Sequence, residues 1–273
     1  MDGIRIYLLY ATNASTEGNR QSMNIAVIGV GFVGSAVSEF LKSHLVKVWK
    51  VDPKWYPTTV FDVREQCDAF ILCLPTPSVD GKCDDSIIRK VIEQLDTEKP
   101  VLLKSTVTPD LMQDYPYNIT YNPEFLRAVS ATQDFKNQEV CILGGSNEVH
   151  LTFWQNLFSN LTCPFIKTNR TTASMIKYTH NAWLATKVAF FHELFEQLPK
   201  DCNYSEVTTT LAKMKNIGPS HMIAPNFDGY LGYSGHCFPK DLEALTNYME
   251  HSILKQVITT NKHLNTKKVY NGT

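Results

Sequence analysis

Asn24-Ile-Ala-Val-Ile-Gly-Val-Gly-Phe-Val-Gly34 is the stretch that decides the fold. The apolar run after Asn24 is typical of a buried strand, and the three glycines that follow have the spacing G-x-G-x-x-G. A helical pattern comes next, and a second apolar segment, Val46 to Val51, ends directly before Asp52. The order strand, glycine turn, helix, strand and acidic residue predicts a βαβ unit that binds a dinucleotide.

Each glycine of this unit has its own physical role. Gly29 permits the tight turn after the strand, and Gly34 allows the helix to pack closely on it. Gly31 lets the backbone approach a pyrophosphate, which would rest on the helix N-terminus. Asp52 is placed to accept hydrogen bonds from ribose hydroxyls and would repel a 2′-phosphate, so the predicted cofactor is NAD.

Further strand patterns follow at the spacing of an α/β protein. Helical patterns, notably Ile87 to Leu95, fall between several of them, which predicts a mostly parallel sheet with crossover helices. The expected strands are Ala69 to Leu74, Val101 to Lys104, Asn118 to Tyr121 and Val140 to Leu143.

The pattern becomes helical after Gly145. Ser174 to Gln197 predicts one long, rather apolar helix, and helical patterns continue from Asn203 apart from a loop at Ile217 to Gly235. We therefore expect an α/β fold: an N-terminal Rossmann-type, mostly parallel sheet, then a long central helix and a small helical domain. The expected divisions are a disordered extension at residues 1–22, an NAD-binding domain at 23–170, and the central helix with a helical catalytic and dimerisation domain at 171–273.

Composition excludes several classes of protein. The formal net charge is −1 over 273 residues, so no bulk field favours nucleic acid or an anionic membrane as a partner. No apolar run approaches the roughly 20 residues that cross a bilayer. The seven cysteines are scattered without a C-x-x-C pair, which argues against a disulfide framework and a structural zinc site. Reduced thiols in the cytoplasm are the simplest interpretation.

GYSGHCFPKD, residues 232–241 and hereafter the cysteine motif, carries the most reactive candidate side chain. Cys237 lies between a glycine-rich turn and a predicted helix start, because Pro239 fits the first turn of a helix. A thiol there feels the positive end of the helix dipole, which favours the thiolate, and Asp241 shares its helical face. A covalent nucleophile and a buried, inert cysteine are equally compatible with this segment alone.

Six segments together resemble the UDP-glucose/GDP-mannose dehydrogenase family, in the family's order. They are distributed over most of the range 24–250, and the combination is far more specific than any single segment. The segments are NIAVIGVGFVG (24–34), LPTP (74–77), KSTV (104–107), YNPEFLR (121–127), IKYTHNAWLATKVAFFHEL (176–194) and GYSGHCFPKD (232–241).

The resemblance implies an enzyme that oxidises the primary alcohol of a nucleotide sugar, UDP-glucose first among them, to the carboxylate with two NAD⁺. It assigns Cys237 as the nucleophile that holds the intermediate aldehyde as a thiohemiacetal and then forms a thioester, which water hydrolyses. Lys177 and Asn181, at i and i+4 of the long helix, would stabilise the developing alkoxide and oxyanion. Without the resemblance, a solvated polar face would be the simpler interpretation of that pair.

The resemblance also gives roles to residues of the strand-end loops. Glu124 matches a glutamate used in proton transfer and hydrolysis, Thr106 a threonine that helps to order the catalytic water, and Asp241 an aspartate that orients water or Lys177. Simpler alternatives remain, since Glu124 could cap a helix and Thr76 could be a turn residue. The expected cofactor-binding residues are Gly29, Gly31, Phe32, Val33, Gly34, Asp52, Pro75, Thr76, Ser105 and Thr106. The expected substrate-binding residues are Glu124, Phe125, Leu126, Lys177, Asn181, Asn226, Tyr233 and Gly235.

The sequence departs from the family pattern at several points. Family members continue into a C-terminal UDP-binding domain that completes the nucleotide-sugar site; the sequence lacks it, so we expect a site open on one side. An arginine upstream of the cysteine motif is missing, and His221 lies in the corresponding stretch. Ser234 replaces a glycine of the motif and would be strained if that position needs a positive φ.

Two alternative functions and an oligomeric state follow from the same observations. A non-catalytic or partner-dependent relative would bind nucleotide without turnover, and a two-electron β-hydroxyacid-type dehydrogenase would need a lysine but no cysteine. The helix at 174–197 carries Phe190, Phe191 and Phe195, more apolar surface than a small helical domain can cover. Because this helix forms the subunit interface in the family, we expect a homodimer through it.

Overall fold

The computed structural model describes residues 22–42, 46–249 and 252–269. The expected disordered extension at residues 1–22 lies, apart from its last residue, outside this range. The chain forms two compact units: the first contains the chain up to Pro77 and Asp84–Lys177, and the second contains Ser78–Cys83 and the chain from Tyr178. The domain boundaries expected from the sequence stay a prediction.

The strands are β1 (Met23–Ile28), β2 (Val46–Val51), β3 (Ala69–Leu72), β4 (Ser78–Val79), β5 (Lys82–Cys83), β6 (Val101–Leu103), β7 (Ile119–Tyr121), β8 (Cys141–Gly144) and β9 (Phe165–Thr168), of which β4 and β5 form a separate hairpin. The other strands form a seven-stranded sheet at the centre of the first unit, in the order β2-β1-β3-β6-β7-β8-β9. Its neighbouring strands are parallel except for the antiparallel pair β7–β8, so the predicted mostly parallel sheet is confirmed.

The central strands are apolar throughout because both faces of the sheet are covered. In β1, Ala26 and Ile28 belong to the core on one face, whereas Ile25 and Val27 belong to the core on the other. This alternation is the period of two that a strand imposes on its side chains. The sheet therefore holds the loop after β1 on a rigid base.

Helices flank the sheet and make up most of the second unit. The helices are α1 (Phe32–Leu41), α2 (Val60–Arg64), α3 (Ser86–Leu95), α4 (Ala131–Lys136), α5 (Glu148–Leu157), α6 (Arg170–Gln197), α7 (Tyr204–Leu211), α8 (Phe238–Tyr248) and α9 (Leu254–Leu264). The predicted long helix is α6, which begins four residues earlier than its apolar pattern. Within the described ranges, every helix is too short or too polar to cross a membrane.

The β4–β5 hairpin belongs to the second unit, where it contacts α8. The Asn247 side chain donates to the carbonyl of Gly81 at 2.7 Å, and the hydroxyl of Ser78 donates to Glu243 at 3.1 Å. Sequence analysis did not predict this hairpin, although its Asp80-Gly81 turn has the composition that two-residue hairpin loops favour.

Candidate active site

The β1–α1 junction requires glycine for packing at two positions, one in the loop and one in the first turn of α1. Gly29 has φ +88°, and a Cβ there would come within 2.4 Å of the carbonyl oxygen of Cys73. A Cβ at Gly34 would come within 2.0 Å of the carbonyl oxygen of Gly29. Backbone atoms cannot rotate away as a side chain can, so both positions exclude any larger residue.

Gly31 differs from these two glycines because open space surrounds the position of its missing Cβ. It is the N-cap residue of α1, and among the described residues this cap position makes no side-chain hydrogen bond. Phe32 and Val33 begin the helix, and Phe32 is exposed. The N–H groups of the first turn are therefore available to an anionic group such as a pyrophosphate.

Asp52 is held against this loop from the end of β2. One carboxylate oxygen accepts the N–H of Val30 at 2.8 Å, and the other accepts the N–H of Lys54 at 3.0 Å. Each oxygen keeps a further lone pair for a ribose hydroxyl. The loop and the carboxylate thus fit the pyrophosphate and the adenosine ribose of a dinucleotide, which is the fit expected for NAD.

The loops after β3 and β6 are tied to each other. The hydroxyl of Ser105 accepts the N–H of Leu74 at 2.9 Å, and the hydroxyl of Thr76 donates to the carbonyl of Thr106 at 2.8 Å. Pro75, Thr76, Ser105 and Thr106 were predicted to face the cofactor, and that role stays a prediction. Parallel strands present these loops at the same edge of the sheet as the glycine turn.

Lys177 and Glu124 form a buried ion pair in the first unit. Their side chains are 4% and 8% exposed, and the ammonium donates to a carboxylate oxygen at 3.2 Å and also to the backbone carbonyl of Glu124. The second carboxylate oxygen accepts the N–H of Leu126 at 2.7 Å, and the ammonium lies 5.2 Å from the centroid of the Phe125 ring. The burial excludes a solvated polar face as the explanation of Lys177.

Replacing Lys177 by methionine is expected to lower the free energy of unfolding by about 3–5 kcal/mol, because it leaves the Glu124 carboxylate buried without its counter-ion. Chemical denaturation measures the change. Lys167→Met is the matched control, since the side chains of Lys167 and its partner Glu148 are 33% and 74% exposed and such a pair is worth about 1 kcal/mol or less. Equal effects of the two substitutions would contradict the buried ion pair.

The same loop region contains a second buried lysine that sequence analysis did not select. The ammonium of Lys104 donates to the side-chain oxygen of Asn122 at 2.6 Å, and the amide of Asn122 donates to the carbonyl of Ile142 at 2.7 Å. Burial lowers the pKa of Lys104 from its ordinary value. These bonds fix the backbone two residues before Glu124.

In the second unit, Cys237 is the N-cap residue of α8 and is half-buried. Pro239 lies in the first turn, as predicted, and the N–H of Asp241 donates to the carbonyl of Cys237 at 3.0 Å. The positive end of the α8 dipole therefore lies at the thiol-bearing residue.

Asp241 is 1% exposed and is bonded on both carboxylate oxygens. It accepts the side-chain amide of Asn181 at 2.7 Å and pairs with Lys240 at 2.5 Å. Asn181 is itself 3% exposed, so it also is no part of a solvated face. Asn181 and Asp241, which the sequence placed in separate motifs, thus form one buried pair.

An open pocket of about 400 Å³ lies beside the cysteine motif in the second unit. Its lining consists of Val188, His221, Asn226, Phe227, Asp228, Tyr233, Ser234 and Phe238. It includes two of the expected substrate-binding residues, Asn226 and Tyr233. Positive φ angles occur at Gly232 and Gly235 but not at Ser234, so the strain considered for this serine is absent.

These features define a class: oxidoreductases with a Rossmann-type sheet and an NAD-binding domain. The model of the UDP-glucose/GDP-mannose dehydrogenase family's central domain matches residues 171–267, and the model of its NAD binding domain matches residues 54–162. The chain belongs to this family.

Individual proteins agree with this assignment. A UDP-glucose 6-dehydrogenase of Rickettsia conorii is 29% identical over 88% of this chain and 67% of its own length, so the chain spans about two thirds of such a relative. A UDP-glucose dehydrogenase structure from Pyrobaculum islandicum superposes with a TM-score of 0.77, at 21% identity, covering 92% of this chain and 70% of that one. The fold is also shared with the 3-hydroxyisobutyrate dehydrogenase of Mycobacterium tuberculosis, with a TM-score of 0.68 and 15% identity, covering 91% and 96%.

Proposed function

We propose that this chain oxidises the primary alcohol of a nucleotide sugar to the carboxylate in two NAD-dependent steps, with UDP-glucose as the first candidate substrate and the cytoplasm as its compartment. The observation that carries the proposal is Cys237 at the N-terminus of α8, in a chain that belongs to a nucleotide-sugar dehydrogenase family. NAD, when bound, supplies the hydride acceptor for both oxidations.

In this proposal, Lys177 and Asn181 stabilise the negative charge that develops on the substrate oxygen. The first oxidation removes a proton from the alcohol, and the second passes through an oxyanion on the thiohemiacetal carbon. A buried ammonium and a buried amide donor stabilise such charge more strongly than solvent does, because their orientation is fixed beforehand. Their partners Glu124 and Asp241 hold them in that orientation.

Cys237 joins the two oxidations in this proposal. Its sulfur adds to the aldehyde carbon, and the carbonyl oxygen takes a proton, which gives a thiohemiacetal. Loss of a hydride from that carbon and of the hydroxyl proton gives a thioester. Attack by water then releases the carboxylate and regenerates the thiol. We assign proton transfer to Glu124 and the ordering of the attacking water to Thr106.

An NADH assay across a panel of nucleotide sugars tests the proposal. The purified chain is incubated with NAD⁺ and, separately, UDP-glucose, GDP-mannose, UDP-N-acetylglucosamine and UDP-N-acetylmannosamine. One of them should yield about two NADH per sugar, since an alcohol loses two hydrides on its way to a carboxylate. If no member of the panel yields NADH, the proposal that this chain turns over nucleotide sugars is wrong. That result would favour the non-catalytic, partner-dependent alternative.

A homodimer through α6 is the second part of the proposal. Trp183 and Phe190 lie seven residues apart, hence on one face of the helix, and are 61% and 58% exposed. Of the three phenylalanines on which the sequence-based expectation rested, Phe191 is buried and Phe195 packs against the ring of Tyr204 at 5.0 Å. Only Phe190 of the three is exposed.

Trp183→Glu is expected to convert a dimer into a monomer, because it places a charge in an apolar interface. Light scattering after size exclusion measures the mass. Phe61→Glu is the control, since Phe61 is 59% exposed on a different helix. A monomeric wild-type chain would contradict the proposed dimer.

A further inference from the structure

Side chains from separate elements hold the backbone of Gly232 and Tyr233 at the start of the cysteine motif. The N–H of Gly232 donates to Nδ1 of His192 at 2.8 Å, and its carbonyl accepts the amide of Asn226 at 2.6 Å. The N–H of Tyr233 donates to the side-chain oxygen of Asn261 at 2.7 Å. Its carbonyl accepts the amides of Asn261 at 3.0 Å and Asn265 at 3.2 Å. Every backbone polar group of these two residues thus has a side-chain partner.

His192 connects the cysteine motif to α6 in a single protonation state. Because Nδ1 accepts from Gly232, the proton lies on Nε2, which is 2.7 Å from the carbonyl oxygen of Ile223. The ring is 1% exposed, and burial lowers its pKa from the ordinary value. His192 therefore joins both ends of the loop between Ile223 and Gly232 to one helix.

Asn261 makes the same kind of connection from α9. Its side-chain amide pairs with both the N–H and the carbonyl of Tyr233, as a neighbouring strand would, and it is 5% exposed. Gly232 has φ +83°, and a Cβ there would lie 2.6 Å from the side-chain oxygens of Asn261 and Asn265. The close approach of these two amides is possible only because this position is glycine.

We propose that His192 and Asn261 are positioning residues that fix the backbone of the cysteine motif and thereby the approach of the Cys237 thiol. Burying a histidine and an asparagine is unfavourable unless their hydrogen bonds are complete, and here those bonds converge on the residues that lead to Cys237. Thiol addition to an aldehyde needs the two atoms within about 3.5 Å in a defined direction, and a 1 Å displacement costs on the order of 10²-fold in rate.

The expected effect on kcat rests on the proposed function. The rate at which the Cys237 thiol is alkylated can be measured whether or not the chain is active. Iodoacetamide alkylates cysteines, and mass spectrometry of peptides reports the rate at each one. Cys202 is exposed and serves as the internal reference. Three variants are compared. His192→Asn keeps an acceptor for the N–H of Gly232, whereas His192→Leu removes the hydrogen bonds to both Gly232 and Ile223. Asn261→Asp keeps the acceptor for the N–H of Tyr233 but places a carboxylate oxygen against the carbonyl oxygen of Tyr233.

We expect His192→Leu and Asn261→Asp to raise the alkylation rate of Cys237 relative to Cys202 by at least about threefold, because a loosened loop exposes the half-buried thiol. His192→Asn should lie between His192→Leu and the wild type. If the chain turns over nucleotide sugar, kcat should fall on the order of 10-fold to 10²-fold, with KM for NAD unchanged.

Tyr204→Phe is the matched control. The Tyr204 hydroxyl lies 2.6 Å from the carbonyl oxygen of Met222 and 3.1 Å from that of Phe191, so this change removes hydrogen bonds next to Ile223 and His192 but none to Gly232 or Tyr233. Tyr204→Phe should lose about as much thermal stability as the His192 and Asn261 variants. The alkylation rate of its Cys237 should nevertheless equal that of the wild type. Equal Cys237 rates in the wild type, His192→Asn and Asn261→Asp, all folded by circular dichroism, would overturn the proposal even if the chain proves inactive. A response of Tyr204→Phe equal to that of Asn261→Asp would also overturn it.

Discussion

Cys237→Ser is expected to lower kcat for oxidation of the nucleotide sugar to its carboxylate by on the order of 10³-fold or more, the size of effect seen when an enzyme loses its nucleophile. A serine hydroxyl at a helix N-terminus remains protonated, adds poorly to an aldehyde and makes an ester that is a weaker acyl donor than a thioester. NAD binding should be unchanged, because its expected site lies at Gly31 and Asp52. Steady-state kinetics and calorimetry with NAD measure the two quantities.

Cys202→Ser is the control for this prediction, since Cys202 is an exposed thiol outside the motif. It should match the wild type in both measurements. The count of NADH per sugar adds a second test, because Cys237→Ser should release aldehyde after one oxidation instead of completing two. Full turnover in Cys237→Ala would contradict a covalent role and favour the β-hydroxyacid-type alternative, which needs no cysteine.

The fold by itself does not separate these two functions. A 3-hydroxyisobutyrate dehydrogenase superposes on this chain about as completely as several nucleotide-sugar dehydrogenases do. The superposition depends on the sheet and the long helix, which the 3-hydroxyisobutyrate dehydrogenase and the nucleotide-sugar dehydrogenases share. The distinction depends on side chains, namely Cys237 at the N-terminus of α8 and the buried pair of Asn181 and Asp241.

The sequence predicted those parts of the structure that depend on local pattern. The residues that predict the glycine turn, β1 and β2 lie within about 30 positions of one another. An uninterrupted apolar run predicts a buried strand. The β4–β5 hairpin and β9 were missed because two-residue strands and the half-exposed Phe165–Thr168 have little periodicity. The antiparallel pairing of β7 with β8 has no local signal at all.

The buried polar pairs were less accessible to sequence analysis, for a physical reason. Lys177 lies 53 residues from Glu124, and Asn181 lies 60 from Asp241, so tertiary structure alone brings each pair together. The resemblance singled out all four residues but not their pairing. His192 had no signal, since a histidine among apolar helix positions is ordinarily a core residue. Its hydrogen bond with the N–H of Gly232 forms only when the loop folds back onto α6.

Gly34→Ala and Gly31→Ala form a matched pair, because the first is expected to lower stability and the second to weaken NAD binding with little change in stability. An alanine methyl at position 34 would lie 2.0 Å from the carbonyl oxygen of Gly29 and 3.3 Å from Val27. Relief requires α1 to move away from β1, and we expect a loss of at least about 3 kcal/mol in the free energy of unfolding, at the upper end of the range for overpacking. Urea denaturation measures the loss.

Gly31→Ala should fold normally, because Gly31 has φ −74° and open space around its missing Cβ. Its stability should stay within about 1 kcal/mol of the wild type, as expected for alanine at an N-cap. The new methyl group nonetheless occupies the space in which a pyrophosphate would approach the N–H groups of α1, so the Kd for NAD should rise by about tenfold or more. Calorimetry with NAD on the folded variant measures this. Wild-type affinity for NAD in Gly31→Ala would mean that the cofactor does not bind at the N-terminus of α1. A higher Kd for NAD with an unchanged free energy of unfolding would show that Gly31 is needed for cofactor binding, whereas Gly34 is needed for folding.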